Sequence, residues 1–335
     1  MSDDPLIADA VEPQDCGSVA LFPELNWRAS DIVIGIVPIV AARLAGGLLA
    51  VETLRQVALP VTIIGTVWMW LYPASIAKIR GTRFRLPSAR VCITESLIAV
   101  PTLFLIWMGL GAVLGVTLLL FPALDKNTNP FVEPAVGNSG NPYLWGFMLI
   151  ACTAAPFGEE LFFRGMVYRW LKQHVDLRSA ILLQGIFCGF IHTYGVLHSV
   201  LASFLGISFA IVYELRKTIV TPVSLHVLQN TAALIGTLVM AQAIANGPFL
   251  GVYGEANGRG CQLTQVQPGG SADQAGLRVG DIIVVVDDQQ ITDFATLKTA
   301  IREHRVGDTI NVQFSRDDKV HHITLQLQRR SPSDN

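Results

Sequence analysis

Seven apolar runs occupy most of the first 245 residues, at roughly 31–51, 60–77, 91–121, 143–168, 179–192, 197–213 and 219–245. A helix that crosses a bilayer needs about 20 mostly apolar residues. Lipid offers no partner to backbone amides, so only helices or a closed barrel can span it. The runs predict a polytopic α-helical membrane protein of about seven transmembrane helices. The run at 91–121 is long enough to tilt, and the run at 179–192 is short for a span. Over the whole chain, hydrophobic residues make up 51% and charged residues 15%, against about 25% charged in soluble proteins.

Charge divides the 335 residues into three parts. Residues 1–30 form an acidic N-terminal tail, with Asp3, Asp4, Asp9, Glu12, Asp15 and Glu24 against Arg28 alone. Residues 31–245 are poor in charge. The last 87 residues hold 9 Lys/Arg and 11 Asp/Glu, a density usual for a soluble domain. The net charge of −2 gives no reason to expect nucleic acid as a partner. The tail has no basic segment followed by an apolar core, so no cleaved signal peptide is expected. Cys16, Cys92, Cys152, Cys188 and Cys261 include no CxxC pair, which argues against a thiolate zinc site or a disulfide framework.

Lys and Arg in short loops set orientation. Lys78, Arg80, Arg83, Arg85 and Arg90 follow the second run, Arg169, Lys172 and Arg178 the fourth, and Arg216 and Lys217 the sixth. That alternation places the N-terminus in the cytoplasm. Seven spans would then leave the C-terminal domain outside it, in a bacterial inner (cytoplasmic) membrane.

Ionisable groups within a span cost about 2.5–3.5 kcal/mol each on insertion scales and usually face the protein interior. Glu95 and Arg43, near span ends, are expected to snorkel to the interface. The fourth run carries Glu159, Glu160 and Arg164 in FGEELFFRG, the fifth ends on His192 in FCGFIHTYG, and the seventh holds His226 and Asn230 in SLHVLQN. Glu160 and Arg164 are four residues apart and share a helix face, so they can pair. Glu159 is rotated by about 100° and is free to point elsewhere. His226 and Asn230 form another polar face. A carboxylate base, two imidazoles and an amide suit attack of water on a peptide bond. No GxSxG, paired Asp or HExxH motif points to another hydrolytic route. Two histidines and a carboxylate would suffice for zinc, although the Glu-Glu spacing does not demand a metal or any other cofactor.

Glu159-Glu160-x-x-x-Arg164, a histidine after aromatic residues, and His226-x-x-x-Asn230 together resemble the CAAX-protease and bacteriocin-processing family (CPBP, or Abi) of intramembrane endopeptidases. The resemblance covers about residues 90–245. It implies a glutamate-dependent protease in which Glu159 is the general base. His192 would position the water or shuttle its proton, and His226 and Asn230 would stabilise the oxyanion. Glu160 and Arg164 would support them. One position departs from the family pattern: Cys188 stands four residues before His192, where the family has Phe, with Phe187 and Phe190 beside it.

Residues 249–330 read as a small β-rich domain. CQLTQV, DIIVVVD, TINVQF and HHITLQL alternate as strands do, and ATLKTAIREH has one apolar face. Phe249-Leu250-Gly251-Val252, Pro268-Gly-Gly-Ser-Ala272 and Ala275-Gly276-Leu277-x-x-Gly280-Asp281-Ile282-Ile283 resemble a PDZ domain of the type attached to bacterial high-temperature-requirement and site-2 proteases. That resemblance implies peptide binding at Phe249, Leu250, Gly251 and Val252, with protein or peptide C-termini as partners beside membrane-associated substrates. The same features leave a second class open: a proteolytically inactive membrane scaffold or assembly factor that acts through its PDZ domain. A proton-coupled transporter is a third, but no repeated half or broken-helix pair suggests it.

Overall fold

The computed structural model describes residues 25–48, 51–81, 87–121, 124, 142–192 and 195–329. Most of the acidic tail, Arg83 and Arg85 in the basic loop, and nearly all of the 122–141 connection lie outside the described residues. The described chain forms two units, with the boundary between Ile235 and Gly236.

The first unit is helical: α1 (Ala29–Leu48), α2 (Val51–Ile79), α3 (Ala89–Leu120), α4 (Pro142–Cys152), α5 (Ala154–Phe162), a π-helical turn (Phe163–Val167), α6 (Tyr168–His174), α7 (Leu177–Ile191), α8 (Val196–Arg216) and α9 (Val220–Asn246), whose last turns run into the second unit. Short polar residues start the helices where the apolar runs begin. Ser88 Oγ accepts from Val91 N–H at α3, and Asp176 accepts from the N–H groups of Arg178 and Ser179 at α7. Among the described residues, α3, α8 and α9 are long and apolar enough to cross a membrane; residues 29–39, 63–79 and 177–191 are shorter apolar stretches. At 15 residues, α7 is about 22 Å long, short of the roughly 30 Å hydrocarbon core.

The predicted fourth span, 143–168, is not one helix. Thr153, with φ −125° and ψ −80°, separates α4 from α5, and the helical ladder then widens into the π turn. Large apolar side chains point outward along α3 and α9, among them Leu119 at 80%, Leu105 at 67% and Val239 at 65% exposure. Such faces suit lipid. Because lipid tails are as apolar as Leu, the hydrophobic effect does little to hold such helices to one another. Close packing and polar ties must do so.

Both are present. α7 and α8 touch through glycines: a Cβ on Gly189 would lie 1.9 Å from Ser203 Oγ and 2.4 Å from the Ser199 carbonyl, and one on Gly185 would lie 2.8 Å from the Ile207 backbone nitrogen. Among the polar ties, Arg80 grips both Asp31 oxygens at 2.7 and 2.6 Å, joining α2 to α1. Glu95 does not snorkel. It is buried, accepts two hydrogen bonds from Arg216 at 2.9 and 2.6 Å and one from Thr221 at 2.5 Å, and so links α3 to α8 and α9. The end of the acidic N-terminal segment also joins the core: Leu25 and Trp27 are buried in it.

The second unit is β-rich. Its main antiparallel sheet runs in the order β2 (Val252–Ala256), β3 (Cys261–Val266), β4 (Ile282–Val286), β6 (Thr309–Arg316), β7 (Lys319–Gln326), and β5 (Gln289–Gln290) pairs with β4. A second pair joins β1 (Pro248–Phe249) to β8 (Gln328–Arg329). Helices α10 (Ser271–Gln274) and α11 (Phe294–Arg302) complete the unit. The inward positions Leu263, Ile283, Val286, Leu297, Ile310 and Val312 form its core. The Gly276–Asp281 motif acquires a physical reason: buried Asp281 accepts from the Arg278 N–H at 2.7 Å and receives two hydrogen bonds from Arg316.

Candidate active site

Four elements bring the polar residues of the apolar runs together. Glu159 and Glu160 sit on α5, Arg164 in the π turn, His192 at the C-terminal end of α7, and His226 and Asn230 on α9. The i,i+4 pair forms as its spacing requires, with Arg164 donating to Glu160 Oε1 at 3.0 Å. Its other terminal nitrogen donates to the Gly206 carbonyl of α8 at 2.9 Å. The guanidinium also lies 5.6 Å above the Phe209 ring.

Neighbouring carboxylates have different surroundings. Glu160 is 0% exposed and locked by Arg164 and by His226, whose Nδ1 stands 2.9 Å from Oε1. Glu159, rotated away, retains 18% exposure, and its Oε2 has no hydrogen-bond partner among the described residues. That oxygen lies 3.8 Å from His192 Nε2 and 3.7 Å from His226 Nε2. Three side chains from three helices thus face one point, at separations too long for direct hydrogen bonds.

Both imidazoles are aimed by their other nitrogen. His192 Nδ1 lies 2.8 Å from the Cys188 carbonyl. A carbonyl can only accept, so Nδ1 carries the proton and Nε2 is the acceptor in the neutral ring. The His192 backbone is held by Ser199 Oγ, which donates to its carbonyl at 3.1 Å. His226 Nδ1 likewise donates to Glu160, which turns Nε2 toward Glu159. Asn230 Nδ2 donates to the Ala151 carbonyl at 2.7 Å, close to the α4–α5 break, and the amide keeps a second N–H.

Cys188 is buried, and a Cβ on Gly206 would come within 3.0 Å of its own Cβ, so a small side chain suits that position. Phe187 contributes the aromatic packing, edge-on to Phe163 with centroids 5.9 Å apart. Glu159, His192 and His226 converge without the spacing of a metal-binding group, and among the described residues no other set of three His, Cys, Asp or Glu has it.

Two supports are not legible from residue type. Trp27 donates its indole N–H to the Gly165 carbonyl at 2.8 Å, inside the π turn. A π turn leaves carbonyls off the regular ladder, and this one is satisfied from 138 residues away. The glycines of the α7–α8 contact are the other support; their Gly185-x-x-x-Gly189 spacing is the signal that points to it.

In the second unit, Gly251 adopts φ +82°, which favours glycine. The Leu250 carbonyl accepts from Ala272 N–H at 2.9 Å and the Gly251 carbonyl from Gln267 N–H at 2.8 Å. In a trans peptide the N–H points opposite to the carbonyl. The N–H groups of Gly251 and Val252 therefore face away from those contacts, as capture of a carboxylate requires. β2 stands at the edge of its sheet.

The chain thus joins a helical first unit that carries a convergent Glu–His set to a β-rich second unit. Comparison with known proteins agrees. Residues 141–232 match the type II CAAX prenyl endopeptidase Rce1-like family, a protease family, and residues 248–327 match the PDZ domain. Curated relatives match in the PDZ region. A probable periplasmic serine protease do/HhoA-like of Haemophilus influenzae is 28% identical over 123 residues, 37% of this chain and 26% of the relative. The periplasmic serine endoprotease DegP of Escherichia coli K12 is 34% identical over 73 residues, 22% of this chain and 15% of the relative. This chain thus spans about a quarter or less of those relatives. Among solved structures, the HtrA-type protease AlgW with a decapeptide aligns over 29% of this chain and 35% of its own, at 23% identity and TM-score 0.26. The HtrA3 PDZ domain bound to a phage-derived ligand aligns over 24% and 85%, at 18% identity and TM-score 0.22.

Proposed function

We propose that this protein is an intramembrane endopeptidase that hydrolyses peptide bonds of membrane-associated proteins with a glutamate-activated water. The observation that carries the reading is the position of Glu159 Oε2, 3.8 Å from His192 Nε2 and 3.7 Å from His226 Nε2. A water among these atoms can donate one hydrogen to Glu159 and the other to His192 Nε2. Glu159 takes the proton as the water oxygen attacks the scissile carbonyl carbon. The resulting oxyanion would be met by His226 as the imidazolium, with Nδ1–H on Glu160 and Nε2–H on the oxyanion, and by the second N–H of Asn230. Measured donors of this kind contribute about 3–4 kcal/mol each. When the C–N bond breaks, the proton passes from Glu159 to the leaving amine, directly or through His192. Glu160 and Arg164 touch no reacting atom; Glu160, held by Arg164, orients His226 and balances its charge. No metal is assigned a step.

The remaining helices belong to this reading as a membrane domain of about seven spans in the bacterial inner membrane. The PDZ domain would lie on the extracytoplasmic side and recruit or gate substrates. The test is comparative mapping of protein ends in membranes that carry the wild type or Glu159→Gln. New cut ends present only with the wild type support the protease. A phenotype kept in full by Glu159→Gln would favour the scaffold instead.

A further inference from the structure

Gln184 of α7 is 0% exposed, and neither its amide oxygen nor its amide nitrogen has a hydrogen-bond partner among the described residues. Arg164, 1% exposed, is satisfied at both terminal nitrogens but not at Nε. We infer that Gln184 and Arg164 Nε share internal water, and that Gln184 is thereby a positioning residue for the candidate active site. The inference rests on the reading of the first unit as a protease, and it adds to that site a residue that touches no reacting atom.

The packing of three elements sets the two residues on the same side of α7. Gln184, Cys188 and Ile191 fall at i, i+4 and i+7, so they share one helix face. Cys188 and Ile191 are buried in a single core with Phe163, Met166 and Val167 of the π turn. That face is therefore turned toward the element that carries Arg164. From α8, the Gly206 carbonyl accepts from the Arg164 guanidinium at 2.9 Å. A Cβ on the same Gly206 would lie 3.0 Å from Cys188 Cβ and 3.1 Å from Gly185 Cα. The guanidinium thus sits against the turn of α7 that begins at Gln184.

Buried polar groups without a partner are costly, and ordered water commonly bridges them. Arg164 Nε–H can only donate, whereas the Gln184 amide offers an acceptor and two donors. Water that accepts from Arg164 and donates to the Gln184 oxygen joins two groups that make no hydrogen bond to each other. The consequence is positional. Gln184, water, Arg164, Glu160 and His226 become one chain of polar contacts, whose last two links both end on Glu160 Oε1, at 3.0 and 2.9 Å. His192 lies eight residues beyond Gln184, at the end of α7. The amide therefore fixes α7, and His192 with it, against the turn that orients His226.

The test uses the full chain in lipid nanodiscs, with a substrate identified by end mapping. Gln184→Met keeps the length of the side chain and cannot hold water. It should lower kcat by about tenfold or more with KM within about twofold, as small misplacements of reacting groups do. It should also lower Tm, because Arg164 Nε is then stranded. Gln184→Asn is shorter and fills the core less well, but it keeps the amide, so it should retain more kcat than Gln184→Met. Packing alone predicts the opposite order. A structure at a resolution that shows water should place one within hydrogen-bond distance of both Arg164 Nε and the Gln184 amide. A raised Tm with unchanged kcat in Gln184→Met, a kcat for Gln184→Asn below that of Gln184→Met, or a wild-type structure with no such water would each overturn the proposal. Water and Tm are read without cleavage. Water in place and a destabilised Gln184→Met, in a protein that cleaves nothing, would uphold the water site and end the protease reading.

Discussion

His226 Nδ1 and Glu160 Oε1 stand 2.9 Å apart, and Arg164 donates to the same oxygen from 3.0 Å. One buried carboxylate oxygen thus orients an imidazole from α9 and neutralises a guanidinium from the π turn. Arg164→Met would strand the Glu160 charge in a site of 0% exposure. Removing one partner of a buried pair costs about 3–5 kcal/mol. Thermal unfolding in detergent should show a correspondingly lower Tm, and Glu160→Gln, which leaves the Arg164 charge buried without its carboxylate, should lower it as well.

The glycine contact predicts a site effect from a residue with no reactive group. A side chain at Gly189 meets Ser203 Oγ at 1.9 Å and the Ser199 backbone at 2.4 Å, so α7 and α8 must separate. His192 lies three residues on and is tied to Ser199. Gly189→Val should lower cleavage at least about tenfold and destabilise the protein by about 1–3 kcal/mol or more, as overpacking does. Gly115→Val is the control, because a Cβ there meets nothing within 4 Å; it should leave both readouts near wild type.

Part of this is readable without coordinates. The Glu160–Arg164 pair follows from helical spacing, and the strands of the second unit follow from alternation. The π turn does not show, because a widened ladder leaves the apolar period of LFFRGMV unbroken. Nor does the Thr153 break, since threonine in an apolar run reads as tolerated helix. Trp27 lies beside an acidic segment and reads as part of it; its hydrogen bond to Gly165 depends on tertiary placement that composition does not carry. Glu95 resembles a snorkelling end residue because its partners Arg216 and Thr221 are 121 and 126 residues away in sequence.

In the second unit, Asp293 caps α11: it accepts from the Thr296 N–H at 2.7 Å, and Thr296 Oγ1 accepts from the Asp293 N–H at 3.0 Å. The Thr296 backbone hydrogen bond, foremost, holds its carboxyl below the ordinary 3.8. The cap therefore stabilises fully above the unfolded value and is lost as pH falls through the lower folded value. Asp293→Ala should cost about 0.5–2 kcal/mol at neutral pH, and urea titrations should show the difference from wild type shrinking below about pH 4.

His192 Nδ1 and His226 Nδ1 are both engaged by protein groups, which leaves both Nε2 atoms toward Glu159 Oε2. If Glu159 alone activates the water, cleavage by purified protein should persist within about twofold after dialysis against a strong zinc chelator; catalytic zinc would need about three protein ligands. Loss on dialysis with recovery on added zinc would contradict that outcome.

The central claim is that Glu159 takes the proton of the attacking water. Glu159→Gln keeps the size and the hydrogen-bonding reach of the side chain and removes its basicity. Purified in nanodiscs with a substrate identified by end mapping, it should lose at least about a hundredfold in kcat, the lower range for a general base. Its Tm and its binding of PDZ peptide should be unchanged. Turnover by Glu159→Gln at the wild-type rate would contradict the account.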